Sequence, residues 1–308
     1  MLLLCYNHFC IMEIKHLEKG TLWHSLVRTR SHALTSGALR SFPTVHAFIE
    51  DRGVRFFVRV LSSLREKSEA RTKQDADPFL PPEKDLTVAD ITDTHVAVLN
   101  KFNVVDHHLL IVTRHFEDQD SLLTLLDFEA LWLCLAEYNG LGFYNGGREA
   151  GASQQHKHLQ MVPLPLAPAG PPVPIAPLLP GPGPIAAVGT IPAFSFLNSY
   201  VRLRPDMVDT PREAAIETFE LYTAMLKSVG MNAPGASTLA RRSQPYCFIV
   251  TREWMLLVPR SREHFEGISL NSLAYAGSFF VWNKEQLERL RDFGPINALR
   301  TVSMPAER

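Results

Sequence analysis

Gly151-Ala152-Ser153-Gln154-Gln155-His156-Lys157-His158-Leu159-Gln160 is the stretch on which the reading of this chain turns. A turn-rich segment, Tyr144-Asn145-Gly146-Gly147-Arg148-Glu149-Ala150, precedes it, and Met161-Val162-Pro163 ends it as an apolar strand. In an extended strand alternate side chains share a face. That alternation predicts His156, His158 and Gln160 on one face and Lys157, Leu159 and Met161 on the other. Two imidazoles and an amide then converge just beyond a loop of small residues whose backbone N–H groups can approach an anion. The combination suits chemistry on phosphate. A neutral imidazole is a strong nucleophile at about pH 7, and a phosphoramidate to histidine is reactive enough to be discharged again. Two plainer readings fit the same spacing. An H-x-H strand can bind a metal, although two ligands are too few without a third, and strand histidines can be ordinary half-buried residues.

Asn145-Gly146-Gly147, Gly151-Ala152-Ser153-Gln154 and His156-Lys157-His158-Leu159-Gln160 together resemble the signature of the histidine-triad superfamily, in its transferase branch. Within that branch the chain is most similar to ATP adenylyltransferases, also called diadenosine tetraphosphate (Ap4A) phosphorylases. The resemblance extends over nearly the whole chain beyond residue 12. It is specific in three places: Asn100-Lys101-Phe102, residues 156–160, and residues 255–273 with Val258-Pro259-Arg260-Ser261-Arg262-Glu263-His264 and Asn271-Ser272-Leu273. It implies an α+β, histidine-triad-like fold: an antiparallel sheet with flanking helices, completed by a C-terminal α+β segment.

The resemblance also implies roles. His158 is the expected nucleophile. Its Nε2 would attack the α-phosphorus of a bound dinucleotide and expel ATP, and phosphate would then take the AMP to give ADP. The other ring nitrogen should donate to a backbone carbonyl. His156 is expected to position rather than to act as an acid. Gln160 decides the branch: the hydrolases carry histidine there, whereas a neutral amide can hold a phosphate oxygen but cannot shuttle a proton. Transfer to phosphate rather than to water follows. Asn145, Gly147 and Ser153, with the loop's backbone amides and help from Gln154, would stabilise charge on the equatorial oxygens.

Asn100 and Lys101 are implied contacts on the floor under base and ribose, Asn271 and Ser272 in the C-terminal part of the cleft, and Lys67 and Lys73 near the polyphosphate. Asn271 and Ser272 equally fit the start of a helix running through Phe280. The basic stretch holding Lys67 and Lys73 equally fits a mobile surface loop. His107 and His108, adjacent and therefore on opposite strand faces, read as structural.

The related uridylyltransferases often carry a zinc bound partly by a C-x-x-C pair. Cys5, Cys10, Cys134 and Cys247 include no such pair, so no zinc is expected. No obligatory cofactor is expected either; Mg2+ on the polyphosphate suits the chemistry, with no protein ligand set for it in the sequence. Two alternatives stay open: a hexose-1-phosphate nucleotidyltransferase, and a nucleotide-binding regulator without turnover.

A chain of 308 residues with 46% hydrophobic content can bury a substantial core. Its 31 basic and 32 acidic residues give a formal net charge of −1, which argues against bulk nucleic-acid binding. The partners expected are small molecules (Ap4A, ATP, ADP and phosphate), with no nucleic acid and no membrane, in a monomer or weak homo-oligomer. The cysteine usage fits a reducing cytoplasm. The apolar opening at Met1 lacks a basic flank, Met12 is a natural alternative start, and no apolar run reaches transmembrane length.

In chain order, the spacing predicts a helix over 17–40 capped by Thr21 and stopped by Gly37, and a strand over 54–61 whose arginines form a solvated or paired face. Strands follow over 95–102 and 107–113, and then a helix capped by Asp127, with Leu131, Trp132, Leu135 and Ala136 as its apolar stripe. Residues 163–184 contain ten prolines and read as a polyproline-like linker, or as a proline-recognition ligand. The expected division is a catalytic domain over 12–165, a linker over 166–188 and a C-terminal domain over 189–308. Beyond the linker, Thr210-Pro211-Arg212-Glu213 predicts a capping box and a helix to Lys227 stopped by Gly230. A hairpin is predicted over 246–260, and a last helix opens at Asn283 and closes at Gly294-Pro295.

Overall fold

Residues 16–61, 77–181, 183–233 and 244–306 are described by a computed structural model. Lys67 and Lys73, both start methionines, Cys5 and Cys10 lie outside the described residues. The main elements are α1 (Leu22–Ser36), β1 (Thr44–Asp51), β2 (Val54–Leu61), β3 (Thr87–Asp90), β4 (His95–Leu99), β5 (Leu109–Thr113), α2 (Leu125–Glu137), β6 (Gly140–Gly146), β7 (His158–Pro163), β8 (Ser199–Arg202), α3 (Pro211–Ser228), β9 (Tyr246–Val250), β10 (Trp254–Pro259), β11 (Ser278–Val281), α4 (Lys284–Phe293) and α5 (Pro295–Val302). Eight strands form one antiparallel sheet in the order β8-β10-β9-β6-β7-β5-β4-β3. A second sheet of three strands runs β11-β2-β1, with β11 parallel to β2. The expected α+β architecture is present.

Period-two alternation decides what covers each face of the large sheet. On β9, Tyr246, Phe248 and Val250 point into one core, whereas Cys247 and Ile249 point into the other. The first core is roofed by α1, α2 and α3, with Leu26, Phe128, Leu131, Trp132 and Tyr222 buried in it. Trp132 Nε1 donates to Thr218 Oγ1 at 2.8 Å, pinning α2 to α3. The second core takes Phe56 and Val58 from β2, Phe279 from β11 and Leu299 from α5. Each fully buried Leu or Phe contributes roughly 1.5–3 kcal/mol, so these two layers dominate the stability.

The large sheet crosses the expected boundary. β9 from the second half pairs with β6 from the first, Tyr246 opposite Gly146 and Val250 opposite Gly142. The proline run is not an extended spacer: Leu166, Ala167, Val173 and Ile175 are buried, and Ile175 N donates to Ala276 O at 3.3 Å. Proline rings offer no N–H to a ladder, but they and the residues between them are apolar enough to coat a core.

Several element ends differ from expectation for local reasons. Gly37 stops α1 in the left-handed region at φ 78, as predicted, although the helix is shorter than 17–40. The N-cap of α2 is Thr124; Asp127 sits three residues in and closes the capping box with it. At α3, Pro211 takes the first position, but Thr210 makes no side-chain cap, so the box predicted with Glu213 does not form. The helix expected through Phe280 is one turn, Ser272–Tyr275, because the β-prone Ser278–Val281 run instead pairs with Phe57–Val60. α4 opens on Asn283, whose Oδ1 accepts from Gln286 N at 2.9 Å, and Pro295 then starts a further helix that was not expected. No helix among the described residues is long and apolar enough to cross a membrane.

Candidate active site

β7 lies between β5 and β6, and its register places His158 opposite Val112 and Gln160 opposite Leu110 and Phe143. His158 and Gln160 turn to a cleft of about 480 Å3, while Leu159 and Met161 join the helix-covered core. His156 lies two residues before the strand, bridged to Asp118, and is not part of the cleft lining.

His158 Nδ1 lies 2.8 Å from His156 O. A carbonyl only accepts, so Nδ1 carries the proton and Nε2 keeps its lone pair. Nε2 has no hydrogen-bond partner among the described residues. Burial pushes the imidazolium form of His158 down from 6.5 to about 4, with the neighbouring His156 adding to the effect and the carbonyl bond opposing it. The ring is neutral at pH 7 and stands against Phe79, 5.5 Å away. His156 is held on both sides, Nδ1 by Asp77 Oδ2 at 2.7 Å and Nε2 by Thr113 O at 2.8 Å and Thr113 Oγ1 at 3.0 Å.

Gln119, which sequence reasoning passed over, clamps the two strand ends together. Its Oε1 accepts from His158 N at 2.8 Å, and its Nε2 donates to Asn145 O at 3.0 Å and His158 O at 3.3 Å. Behind the strand, the fully buried Lys157 ammonium meets Asp127 Oδ2 at 2.6 Å, Glu117 Oε2 at 3.0 Å and Leu122 O at 3.2 Å. Asp127 Oδ1 in turn faces His95 Nε2 at 3.0 Å. Burial opposes both charges, but Asp127 and Glu117 outweigh it and hold Lys157 above its usual range. Against the same burial, Lys157 and His95 hold Asp127 well below the carboxylate range.

The cleft has an apolar wall of Phe42, Phe79, Leu86, Val98, Leu110, Phe280 and Trp282, and polar groups from Glu83, Asn100, Lys101, Ser153, Gln154, His158 and Gln160. Lys101 Nζ pairs with Glu83 Oε1 at 2.5 Å. The structure thus brings together Asn100, Lys101, Ser153, Gln154, His158 and Gln160 of the predicted residues. Asn145, Gly147, Asn271 and Ser272 lie outside the lining. Asn145 Oδ1 accepts from Ser272 N at 3.0 Å and Ser272 Oγ at 2.7 Å, both residues being buried. Asn271 caps the one-turn helix through Leu273 N at 3.0 Å, and Gly151, at φ +92, packs so close to it that a Cβ there would lie 2.9 Å from Asn271 Cβ. These residues shape the loop from behind. Three of the loop's amides are also spent on the loop itself: Ala150 N and Ala152 N donate to Gly147 O, and Gly151 N to Arg148 O.

Phe79, Glu83, Phe280 and Trp282 were missed because no local signal marks them; only the parallel pairing of β11 with β2 brings the last two to the cleft. A second cavity of about 410 Å3 shares Phe42 and Val104 with the first, and Arg59 stands at its wall.

The profile of the Ap4A phosphorylase N-terminal domain matches residues 12–181, and that of the ATP adenylyltransferase C-terminal domain matches residues 192–305. The chain is 27% identical over 263 residues to diadenosine 5',5'''-P1,P4-tetraphosphate phosphorylase 2 of Saccharomyces cerevisiae, across 77% of this chain and 79% of that protein. It is 33% identical over 124 residues to Protein APA1 of the same yeast, across 36% and 38% of the two chains. Its fold is similar to the crystal structure of yeast Ap4A phosphorylase Apa2 in complex with AMP, with a TM-score of 0.76 at 23% identity over 94% of this chain and 98% of that one. The complex of the same yeast enzyme with Ap4A superimposes with a TM-score of 0.72 at 22% identity over 96% and 100%.

Proposed function

The chain belongs to the Ap4A phosphorylase and ATP adenylyltransferase family, and from that premise we propose that it splits Ap4A with inorganic phosphate into ATP and ADP, reversibly, through an AMP adduct on His158. The observation that carries this reading is the free, neutral Nε2 of His158 in the cleft, with Nδ1 tied to His156 O at 2.8 Å. In the first half-reaction the Nε2 lone pair forms a bond to the α-phosphorus, and the bond from that phosphorus to the bridging oxygen breaks. ATP departs as a weakly basic polyphosphate, which needs no general acid. In the second, a phosphate oxygen attacks the same phosphorus and Nε2 leaves, giving ADP. The exchange is ping-pong. Gln160 donates to a non-bridging oxygen and has no basic site with which to activate water, so the adduct waits for phosphate.

Ser153, Gln154 and Lys101, all in the cleft lining, serve the anionic chain of the substrate. The apolar wall takes the base and ribose, and the adjoining cavity beside Arg59 gives room for the far half of a dinucleotide. Among the described residues no group of three His, Cys, Asp or Glu side chains is arranged to hold a metal. A divalent cation, where used, rides on the polyphosphate oxygens. The reading places the enzyme in the cytoplasm; Cys134 and Cys247, both free thiols, suit a reducing compartment.

The test is product analysis of Ap4A with and without phosphate. ATP plus ADP should appear only with phosphate, and His158→Ala should lower the rate at least about a thousandfold. ATP plus AMP without phosphate would make the protein a hydrolase. No turnover would redirect the search to a sugar phosphate or a binding role.

A further inference from the structure

One wall of the cleft carries a hydrogen-bond chain whose direction can be read from its far end. Phe102 N lies 3.3 Å from Asn100 Oδ1. A backbone N–H only donates, so the atom it meets is the amide oxygen, and Asn100 must turn its NH2 the other way. That NH2 lies 3.2 Å from His108 Nδ1. An amide NH2 also only donates, which makes Nδ1 the bare nitrogen of His108 and leaves the proton on Nε2. His108 Nε2 in turn lies 2.9 Å from Gln160 Oε1. Its N–H therefore holds the Gln160 carbonyl, and the Gln160 NH2, with no partner among the described residues, is left for the cleft.

We propose that Asn100 and His108 are positioning residues for adenylyl transfer: they relay the polarity of the Phe102 N–H to Gln160 and hold its NH2 toward the phosphate and its carbonyl away. The inference deepens the phosphorolysis reading and rests on it for the identity of the anion, but not for the direction of the chain. The two orientations of the Gln160 amide differ by little in shape and by much in electrostatics, since the reversed one would set a carbonyl oxygen against an anionic phosphate. His108 is suited to the relay because it stays neutral: burial, the nearby His158 and Arg59 push its imidazolium form down from 6.5 to about 4 against the bond to Gln160. Protonation at Nδ1 would set two donors face to face at Asn100 and break the chain. Asn100 N also donates to His108 O at 3.0 Å, which keeps the two residues in register. His158 in the cleft lining and His108 behind it are thus opposite tautomers, Nδ1–H at His158 and Nε2–H at His108. Neither Asn100 nor His108 needs to touch the substrate.

The primary measurement is the two-bond proton–nitrogen correlation spectrum of the full chain labelled with ring-15N histidine, at pH 7 without ligand, assigned by single substitutions. His108 should appear as Nε2–H and His158 as Nδ1–H. A His108 found as Nδ1–H or as imidazolium overturns the relay. Kinetics give the second test. His108→Gln keeps an N–H at the ε position and should hold kcat/KM within about threefold of wild type. His108→Phe keeps an aromatic ring without the donor and should lose about tenfold. In a Gln160→Ala background His108→Phe should cost nothing further. The same tenfold loss in both backgrounds would mean a structural histidine and overturn the proposal. If wild type does not turn over Ap4A at all, the function proposed above falls, while the tautomers still decide the relay.

Discussion

At His158 two effects act on one ring. Burial disfavours the imidazolium form, and the bond from Nδ1 to His156 O aims the lone pair at the cleft. The ring stays neutral, as the proposed nucleophilic role requires, well below the pH at which a solvated histidine is half protonated. Its ring should titrate at about 4 rather than 6.5, so the acid limb of kcat/KM is expected near pH 4, with activity unchanged between about pH 5.5 and 7.5. A pH-rate profile checks this; a limb near 6.5 would show that the ring is solvated. The sign for stability follows from the same shift. Between 6.5 and about 4 the unfolded chain holds protons on His108 and His158 that the native state refuses, so stability falls as pH drops through that window. The profile should therefore be taken alongside circular dichroism to separate protonation from unfolding. The bond from His158 Nδ1 to a backbone carbonyl was readable from the motif. The partners of His156 were not, since Asp77 and Thr113 stand 79 and 43 residues away in the chain.

The strand that carries the motif is anchored from behind. Alternation predicted that Lys157 would face away from the cleft, yet a lysine on a back face reads as a solvated one. Here it is fully buried, because α2 brings Asp127 beneath the strand and Glu117 closes over it. Lys157→Met should destabilise the fold by about 3–5 kcal/mol, since it leaves Asp127 charged and buried without its strongest partner. Urea unfolding measures it. Adding Asp127→Asn should recover part of the loss; strict additivity of the two substitutions would mean that the pair is not coupled. The same element explains why Asp127 was misplaced as an N-cap: Thr124 caps α2, and Asp127 both closes the box and receives Lys157. The capping box is local chemistry, whereas the identity of the second partner depends on strand packing.

Across the whole molecule the two sequence units share one sheet. β9 sits against β6, so separating the halves would bare a row of unpaired backbone groups on each. Calorimetry of the full chain should show a single cooperative transition, and two resolved transitions would contradict the shared core. The sequence by itself determined the features that depend on neighbours in the chain: the alternation across 157–161, the hairpin of β9 and β10, the left-handed stop at Gly37 and the glutamine at position 160. Periodicity and backbone sterics are local, so they are legible without a fold. Only the tertiary structure decided which side chains reach the cleft. It set Asn145 and Ser272 against each other, spent the amides of Ala150, Gly151 and Ala152 on their own turn, brought Trp282 to the wall and joined Asn100, His108 and Gln160 into one directed chain. Those outcomes depend on pairings between strands far apart in the sequence, where a register shift of a single residue would turn every side chain to the other face.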